Sequence, residues 1–429
     1  MSIIARLKAL YHEYPRQYWL MIAGVVISTA GGSMIWPFML IYASSKLHLP
    51  LSTVATLISI NAGTGLFSSF LAGSIADRFG RKLVMNLSLT MTGLAYFMLM
   101  RAATYEHFAL LMVMIGLSNP LYQVGADAML ADMIPSEQRT DAYAINRIAN
   151  NAAFAMGPAV GGFLAATSYN LAFYGATAGF LTYSLLLFFL ARETLVRQPG
   201  SASHLFSASK YLSGPKSPPG VEVPREGGFR EALGDSQYMI FMLTTALGLI
   251  APTMLWILMP VYAKTHYGIS EALYGWIPTT NALMCVFIQY PVTRITRRFR
   301  PLPVVAAGML IYAVGAGSVA LMSSFAGFWL SMVVLTFGEL TLVPTASKYV
   351  ADRAPAHLRG RYMSIYWFGW GLARASSPLI GGYLNDAVAP RAIWIGGLII
   401  GLASVAGLTL LARREMRRPR LAANAEPAD

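Results

Sequence analysis

The sequence predicts an all-α membrane protein whose twelve transmembrane helices form two pseudo-symmetric bundles of six. Three observations predict this class. First, 56% of the 429 residues are hydrophobic and only 12% are charged, which is about half the charged fraction of an average soluble domain. Second, the apolar residues gather into long runs. Third, the two halves of the chain resemble each other at a constant spacing.

The apolar runs justify twelve helical spans. Each run approaches or exceeds the roughly 20 residues that a helix needs to cross the hydrocarbon core of a bilayer. Because that core offers no water to backbone N–H and C=O groups, the runs are predicted to be helices, which bond these groups internally. Numbered in chain order as spans 1 to 12, the runs are 18-42, 53-76, 82-100, 108-131, 141-166, 169-190, 237-263, 272-293, 302-322, 325-347, 361-384 and 392-412.

The distribution of basic residues predicts that both termini are cytoplasmic and that the protein lies in the cell (inner) membrane. With the N-terminus inside, only four of the 32 Lys and Arg fall on the outer side, as the positive-inside rule requires. Those four are Lys46, Arg101, Lys264 and Arg391. The net charge of +13 therefore reflects topology and does not indicate a nucleic-acid partner. Span 1 is too long for a cleavable signal and is predicted to remain as an anchor.

The chain is predicted to divide into five segments. A cytoplasmic N-terminus (1-17) precedes the first bundle (18-192), and a basic cytoplasmic tail (413-429) follows the second bundle (236-412). Residues 193-235 are rich in Pro, Ser and Gly, which is typical of a flexible linker. The last part of this linker, GGFREALGDSQ, is predicted to form a short surface helix before span 7.

Identities between the halves recur at one constant offset along the chain. Trp36 matches Trp256 and Asn61 matches Asn281, without one net gap. We call the spacing from Trp36 to Trp256 the repeat offset. Chance among common apolar residues does not explain such matches, so the chain is predicted to be an internal duplication. Parallel six-helix repeats imply a site between the bundles that is exposed to each side in turn as the bundles rock.

The loop between spans 2 and 3, GSIADRFGRK, resembles the signature G-x-x-x-D-R-x-G-R-[RK] of the major facilitator superfamily. Every fixed position is present: Gly73, Asp77, Arg78, Gly80, Arg81 and Lys82. In that family the loop is a latch between the halves that breaks as the transporter rocks, and the resemblance implies this role for Asp77, Arg78 and Arg81. The matching loop of the second half has Arg297 in place of the aspartate.

Span 5 resembles the antiporter motif G-x-x-x-G-P-x-x-G-G of the drug:proton antiporter branch of that superfamily. Four positions match, and Ala153 replaces the first glycine; the matching residues are Gly157, Pro158, Gly161 and Gly162. Plain small-residue helix packing would produce the same pattern. The segment GELTLVPTAS in span 10 adds to the resemblance, whereas span 4 lacks an arginine like that of the branch's L-x-x-x-R motif.

Four ionisable residues lie well inside spans, where charge is costly and usually functional. They are Asp127, Arg147, Glu339 and Arg374, in spans 4, 5, 10 and 11. The resemblance implies that these four spans line a central cavity. Asp127 and Arg147 both lie roughly 10 Å deep, so we expect that they can pair, either permanently or during proton coupling. Glu339 is predicted to be the better proton carrier, because it lies near the midplane.

The predicted cavity walls are aromatic with a few polar side chains. They comprise Trp36, Trp256, Asn61, Asn281, Gln123, Gln289, Tyr366, Trp367 and Trp370. Such walls suit a lipophilic or cationic substrate, through burial of apolar area and cation–π attraction. Packing and interfacial anchoring are the alternative roles for any one of these aromatic residues.

These features favour a secondary transporter, with no cofactor and no metal, that exports a hydrophobic or cationic drug-like compound in exchange for protons. It is predicted to act as a monomer in the lipid bilayer. Transport of a metabolite, a sugar or a lipid-linked molecule is an alternative, because fold does not set substrate. A non-transporting sensor is another alternative. An enzyme is not predicted, because the chain has no Walker loop, no H-E-x-x-H motif and only one cysteine, Cys285.

Overall fold

A computed structural model describes residues 13–195, 229–355 and 358–417. Within these ranges the regular backbone is helical, and each of the twelve predicted spans is helical, some of them as two consecutive helices. Most of the predicted N-terminus, most of the predicted linker and most of the predicted tail lie outside the described residues. The expected all-α architecture of two six-helix bundles is confirmed.

The helices of the first bundle follow the predicted order. Span 1 is Arg16–Ile35 and Met39–Leu47, joined by the 3-10 turn Trp36–Phe38. The remaining spans are Leu51–Phe79 (span 2), Arg81–Leu99 (span 3), Tyr105–Met133 (span 4), Arg139–Thr167 (span 5) and Tyr169–Leu190 (span 6).

The second bundle is preceded by the short helix Phe229–Gly234, where the sequence predicts one. Its spans are Ser236–Gly248 with Ile250–Tyr267 (span 7), Trp276–Phe287 with Gln289–Thr296 (span 8), Pro301–Ser318 (span 9), Phe325–Arg353 (span 10), Arg359–Ala387 (span 11) and Ala392–Arg417 (span 12). A further short helix, Glu271–Tyr274, lies in the connection between spans 7 and 8.

In the described ranges, nine of the twelve spans are long and apolar enough to cross a membrane by hydropathy alone. The other three are spans 5, 8 and 11. Spans 5 and 11 carry Arg147 and Arg374, and span 8 is broken into two shorter helices. All three contact the opposite bundle, because span 5 packs on span 8 and span 11 packs on span 2. Their lower hydropathy is therefore explained by their position at the interface between the bundles, where they are not surrounded by lipid.

The duplication is visible in the tertiary contacts as well as in the identities. The Tyr18 hydroxyl donates a hydrogen bond to the Ala142 carbonyl at 3.0 Å. The Tyr238 hydroxyl donates to the carbonyl of Tyr362. Both members of the second pair follow those of the first by the repeat offset. The same contact therefore ties the first and fifth helices together in each bundle.

We call the end of the molecule that holds the linker the linker end, and the other the distal end. The bundles meet at the distal end through two glycines, which the repeat offset relates. Gly162 lies against the backbone carbonyl of Glu271, and a Cβ at Gly382 would lie 2.7 Å from Cα of Ser52. A side chain at either glycine would collide with backbone that cannot move aside, so these glycines permit the close approach.

From the distal end the contacts between bundles continue only part of the way along the spans. Between spans 5 and 8, the Thr279 hydroxyl donates to the Ala155 carbonyl at 2.9 Å. Between spans 2 and 11, the rings of Phe70 and Phe368 lie 6.5 Å apart. The bundles diverge beyond these contacts, which leaves a crevice between them that opens at the linker end.

Candidate functional site

Two tryptophans mark the closed inner end of this crevice, and the repeat offset relates their surroundings. Trp36 lies in the 3-10 turn that interrupts span 1 and packs against span 11. The Arg374 guanidinium of span 11 lies 5.1 Å from the centroid of the Trp36 ring. Trp256 of span 7 contacts Phe154 of span 5 edge to face, with centroids 6.4 Å apart. Positions 154 and 374 are equivalent, so each tryptophan meets the same position of the opposite bundle. One of these positions is charged and the other is not.

Arg374 lies deep in the fold and yet is exposed to solvent, as expected of a side chain that lines an internal crevice. The described residues form four ion pairs, and none includes Arg374. No described carboxylate acts on its charge; the electrostatic neighbour is Tyr96. Its guanidinium therefore has an aromatic platform but no acidic partner within the described chain.

The Glu339 side chain is held in place by a residue of its own bundle. The Asn281 side-chain amide donates to the Glu339 carboxylate and to the Thr336 hydroxyl, both at 2.9 Å. In the first bundle the equivalent asparagine, Asn61, donates to the Met112 carbonyl at 3.1 Å. The position equivalent to Glu339 in the first bundle holds an uncharged residue, Asn119. The acid is therefore specific to the second bundle.

Arg147 faces the same part of span 8 as Glu339. The positive charge of Arg147 and the negative charge of Glu339 both act on the Cys285 thiol, with opposite sign. Arg147 belongs to the first bundle, whereas Cys285 and Glu339 belong to the second. Arg147 and Glu339, one from each bundle, thus lie near the same thiol, and no described ion pair joins them.

The predicted pair of Asp127 with Arg147 is wrong for this conformation. Asp127 accepts a hydrogen bond from the Gln123 amide at 3.4 Å, and the Tyr143 hydroxyl donates to the Asp127 backbone carbonyl at 3.0 Å. Tyr143 thus occupies the turn of span 5 that lies level with Asp127. Arg147 lies one turn farther along the same face, about 6 Å deeper.

The structure corrects several predicted cavity residues. Asn61 and Tyr366 are buried within their own bundles, and the buried Asn281 reaches the crevice only through Glu339. The Gln289 amide donates to the Thr293 hydroxyl at 2.9 Å and to the Leu340 carbonyl at 3.1 Å, so it joins spans 8 and 10. Sequence alone assigns a polar residue to a span but not to one of its faces.

The remaining predicted wall residues are more exposed. Gln123 and Trp367 are exposed, whereas Trp370 is half-buried, with its ring centroid 6.3 Å from that of Trp367. Trp36 and Trp256 are half-buried at the contacts described above. Aromatic side chains are therefore accessible along the crevice on span 11.

The signature loop contacts its own bundle in this conformation. Arg81 forms an ion pair with Asp132 at the end of span 4 and donates to the Ala128 carbonyl at 3.0 Å. Glu193 accepts hydrogen bonds from the backbone N–H groups of Arg81 and Lys82, at 3.2 and 3.0 Å. Asp132 and Glu193 were not predicted as members of this site. The sequence contained a signal for Asp132, which recurs as Asp352 at the repeat offset.

Four further positions of the loop are described by their backbone conformation or by their exposure. Gly80 has φ of +98°, a conformation that favours glycine at the turn between spans 2 and 3. Asp77 and Arg78 are exposed at the linker end, and the Arg78 guanidinium lies 5.2 Å from the Phe79 ring centroid. Gly73 faces open space. The loop therefore lies on the side where the bundles are apart.

The antiporter-like motif lies where span 5 touches two other helices. A Cβ at Gly161 would collide with the Met34 backbone of span 1, and one at Gly157 would lie 3.0 Å from the Ala30 carbonyl. On the other side of the helix, Gly162 meets Glu271, and the Pro158 carbonyl lies against Gly275. Gly157 and Gly161 therefore pack span 5 on span 1 of its own bundle, whereas Pro158 and Gly162 join the two bundles at the distal end.

A cluster of polar side chains that sequence reasoning missed crosses the interface at the distal end. Glu271 forms an ion pair with Lys264 of its own bundle and accepts a hydrogen bond from Tyr169 of the first bundle. The Lys264 ammonium also donates to the Tyr169 hydroxyl at 3.2 Å. Burial opposes ionisation of Glu271, but the hydrogen bonds from Lys264 and Tyr169 outweigh it, so the pKa of this carboxyl is below its usual value. We call these three residues the distal lock.

A second polar contact crosses at the distal end. The Asp386 carboxylate, at the end of span 11, accepts a hydrogen bond from the backbone N–H of Ser52 at 2.7 Å. It thereby satisfies a free N–H at the start of span 2, as a side-chain cap does. Both polar contacts close the end opposite the crevice opening.

Comparison with known proteins supports this architecture. The sequence profile described as Major Facilitator Superfamily matches residues 21–262 and, in a second match, 241–428. The chain is 24% identical over 407 residues to the uncharacterized MFS-type transporter YttB of Bacillus subtilis, covering 93% of this chain and 96% of YttB. It is 24% identical to a Na(+), Li(+), K(+)/H(+) antiporter of Planococcus maritimus (81% and 84% covered) and to the multidrug resistance protein MdtH of Salmonella typhimurium (81% of each).

A crystal structure of a mutant of the nucleoside transporter NupG has the same fold. Its TM-score is 0.75, and the match covers 92% of this chain and 99% of that one. At 12% identity, this likeness concerns the fold alone.

Proposed function

The chain belongs to the Major Facilitator Superfamily, and from this premise we propose that it exports an amphipathic organic compound in exchange for protons. Export by alternating access fits a crevice that is open at one end and closed by glycine contacts and polar contacts at the other. We further propose that the linker end is cytoplasmic, so that the described conformation accepts substrate from the cytoplasm, and that the protein acts as a monomer in the inner membrane.

One observation carries the proton coupling: Glu339 lies deep in the second bundle opposite Arg147 of the first. If the bundles close over the crevice, ionised Glu339 comes nearer to Arg147, and the exclusion of water strengthens their attraction. Protonation removes this attraction and leaves the hydrogen bond from Asn281 as the carboxyl's anchor. The protonation state of Glu339 thus changes the relative energy of two arrangements of the bundles, which is what coupling requires.

The names of two relatives agree with this proposal. One is called a multidrug resistance protein and another a cation/H(+) antiporter. Gly162 of span 5 packs the bundles together at the distal end, where an exporter must open. We also assign to the signature loop, through Asp77, Arg78 and Arg81, the closing contact of the linker end in the alternate conformation.

The experiment uses inverted membrane vesicles whose lumen is acidified by respiration. A screen of growth and efflux across toxic compounds first supplies an exported compound. Adding that compound should release protons from the lumen, seen as recovery of fluorescence of a quenched pH-sensitive dye. The Glu339→Gln variant should lose this recovery, because it keeps the hydrogen bond of residue 339 to Asn281 but cannot exchange a proton.

The matched control is Glu106→Gln, which removes an exposed carboxyl at the start of span 4. This control should release protons as the wild type does. If Glu339→Gln released protons at the wild-type rate on addition of the compound, Glu339 would not be the proton carrier. In that case Asp127→Asn tests the other acid of the crevice.

A further inference from the structure

We propose that Arg374 and Trp36 form an anion-binding subsite at the inner end of the crevice, so that the exported compound carries an anionic group on a flat apolar body. This inference rests on the proposed function, because it concerns the substrate of the same crevice. It replaces the expectation of a cationic substrate, which considered only the aromatic walls.

The charge of Arg374 has no acidic partner among the described residues. A charged side chain near the middle of a bilayer is costly unless it is paired or hydrated. Arg374 is exposed to the crevice, forms none of the described ion pairs, and has no described carboxylate acting on it. An anion that enters the crevice would meet a guanidinium whose N–H groups are available.

The geometry of the pair suits an anion attached to an aromatic or other flat group. The guanidinium lies over the Trp36 ring, 5.1 Å from its centroid. A guanidinium held over a ring can still donate from its edge to a bidentate carboxylate, sulfonate or phosphate. The apolar body of the ligand can then lie beside Trp36, as in other binding sites that pair an apolar wall with one charged group.

The duplication provides an internal comparison. The equivalent contact joins Trp256 to Phe154, and this contact is apolar throughout. The duplication therefore supplies two aromatic platforms at the inner end of the crevice, and only one carries a charge. The two acids of the crevice lie elsewhere, because Asp127 is near the linker end and Glu339 is bonded to Asn281.

The test is a binding experiment with three probes of one shape: 2-naphthoate, 2-naphthylmethanol and 2-naphthylmethylamine. Full-length protein in nanodiscs of phosphatidylcholine is titrated with each probe at neutral pH, and binding is followed by quenching of tryptophan fluorescence. Hydrogen bonds to a charged group predict that naphthoate binds about 10- to 100-fold more tightly than the amine or the alcohol. No proton gradient is used, so failure of proton coupling would leave this result unchanged.

Substitutions at Arg374 test whether this residue causes the preference for naphthoate. Arg374→Met should remove the preference for naphthoate and leave alcohol binding within about twofold, because the aromatic surface remains. Arg374→Lys keeps the charge but loses the planar fork, so naphthoate should bind about tenfold more weakly than to wild type. This second variant keeps the test decisive if Arg374→Met does not fold. Phe154→Leu, at the equivalent uncharged position, should not change the ratio of naphthoate to amine affinity.

Two results would overturn the proposal: tighter binding of the amine by the wild type, or an undiminished naphthoate preference in both Arg374 variants. Nanodiscs that contain phosphatidylglycerol distinguish the sources of the anion. If this lipid competes with naphthoate in the wild type but not in Arg374→Lys, the subsite takes a lipid headgroup. If it does not compete, the subsite takes a soluble organic anion.

Discussion

Substitution of Glu271 by Gln should open the distal end of the molecule. The change keeps the shape of the side chain but removes the charge that holds Lys264 and that strengthens the hydrogen bond from Tyr169. Of these two contacts of Glu271, only the hydrogen bond from Tyr169 crosses between the bundles, and a hydrogen bond to a charged group contributes about 1.5–3 kcal/mol, against about 0.5–1.5 kcal/mol for one to a neutral group. The Lys264 side chain is 38% exposed, so solvent screens part of its interaction with Glu271. We therefore expect a loss of about 1–2 kcal/mol, or about a 5- to 30-fold change in the ratio of closed to open distal ends.

The assay measures distances between spin labels on opposite bundles at the distal end. Cysteines introduced at the exposed positions Leu49 and Val388, in a Cys285→Ser background, carry the labels. In wild type the distribution should have one main short distance, and Glu271→Gln should raise the fraction of the longer distance. The control is Asp352→Asn, which breaks the exposed Lys348–Asp352 pair within span 10 and should change nothing at the distal end.

The distal lock also has a defined pH dependence. Because the pKa of Glu271 is lowered from 4.5 in the folded protein, its contribution is present above that value and is lost as pH falls through the lowered pKa. The wild-type distribution should therefore stay constant from neutral pH down to about 4.5. An unchanged distribution in Glu271→Gln, or opening of the wild type between pH 7 and 5, would refute the reasoning.

Contacts elsewhere in the structure support three more predictions. Gly162→Ala should lower the thermal unfolding temperature and favour the open distal end, because its Cβ meets the Glu271 carbonyl; Gly63→Ala, which faces open space, should do neither. Asp235→Asn should cost about 1–2 kcal/mol of unfolding free energy, because Asp235 caps span 7 and accepts two hydrogen bonds from Arg353, at 2.8 and 2.7 Å. Burial opposes ionisation of Asp235, yet the hydrogen bonds from Arg353 lower its pKa from the usual 3.8. The unfolding free energy of the wild type should therefore decrease as the pH falls below 3.8, and that of Asp235→Asn should not show this decrease. Asp132→Asn should expose Arg81 to a water-soluble arginine reagent, because it removes the acidic partner of that guanidinium; unchanged reactivity would contradict the ion pair.

The sequence by itself determined the class, the number of spans and the duplication. Span lengths follow from the thickness of a bilayer. The spans are helices because backbone N–H and C=O groups in the bilayer must form hydrogen bonds within the protein. The repeat offset predicted equivalences that the structure displays in contacts, such as Gly162 with the Glu271 carbonyl and Gly382 with the Leu51 carbonyl. The depth of Glu339 and Arg374 within their spans also followed from counting residues.

Only the tertiary structure decided which residues meet. Depth along a helix does not specify the face of the helix, so Asp127 and Arg147, at similar predicted depth, were wrongly expected to pair. The distal lock joins side chains that are far apart in the chain, Tyr169 and Glu271, and no local pattern records such a contact. Likewise, the sequence shows that Arg374 is in span 11, but only packing shows that its neighbour is Trp36 and not an acid. The rotation and packing of each helix depend on all of its neighbours, and they decide which of the charged residues inside the spans lie close enough together to form a site.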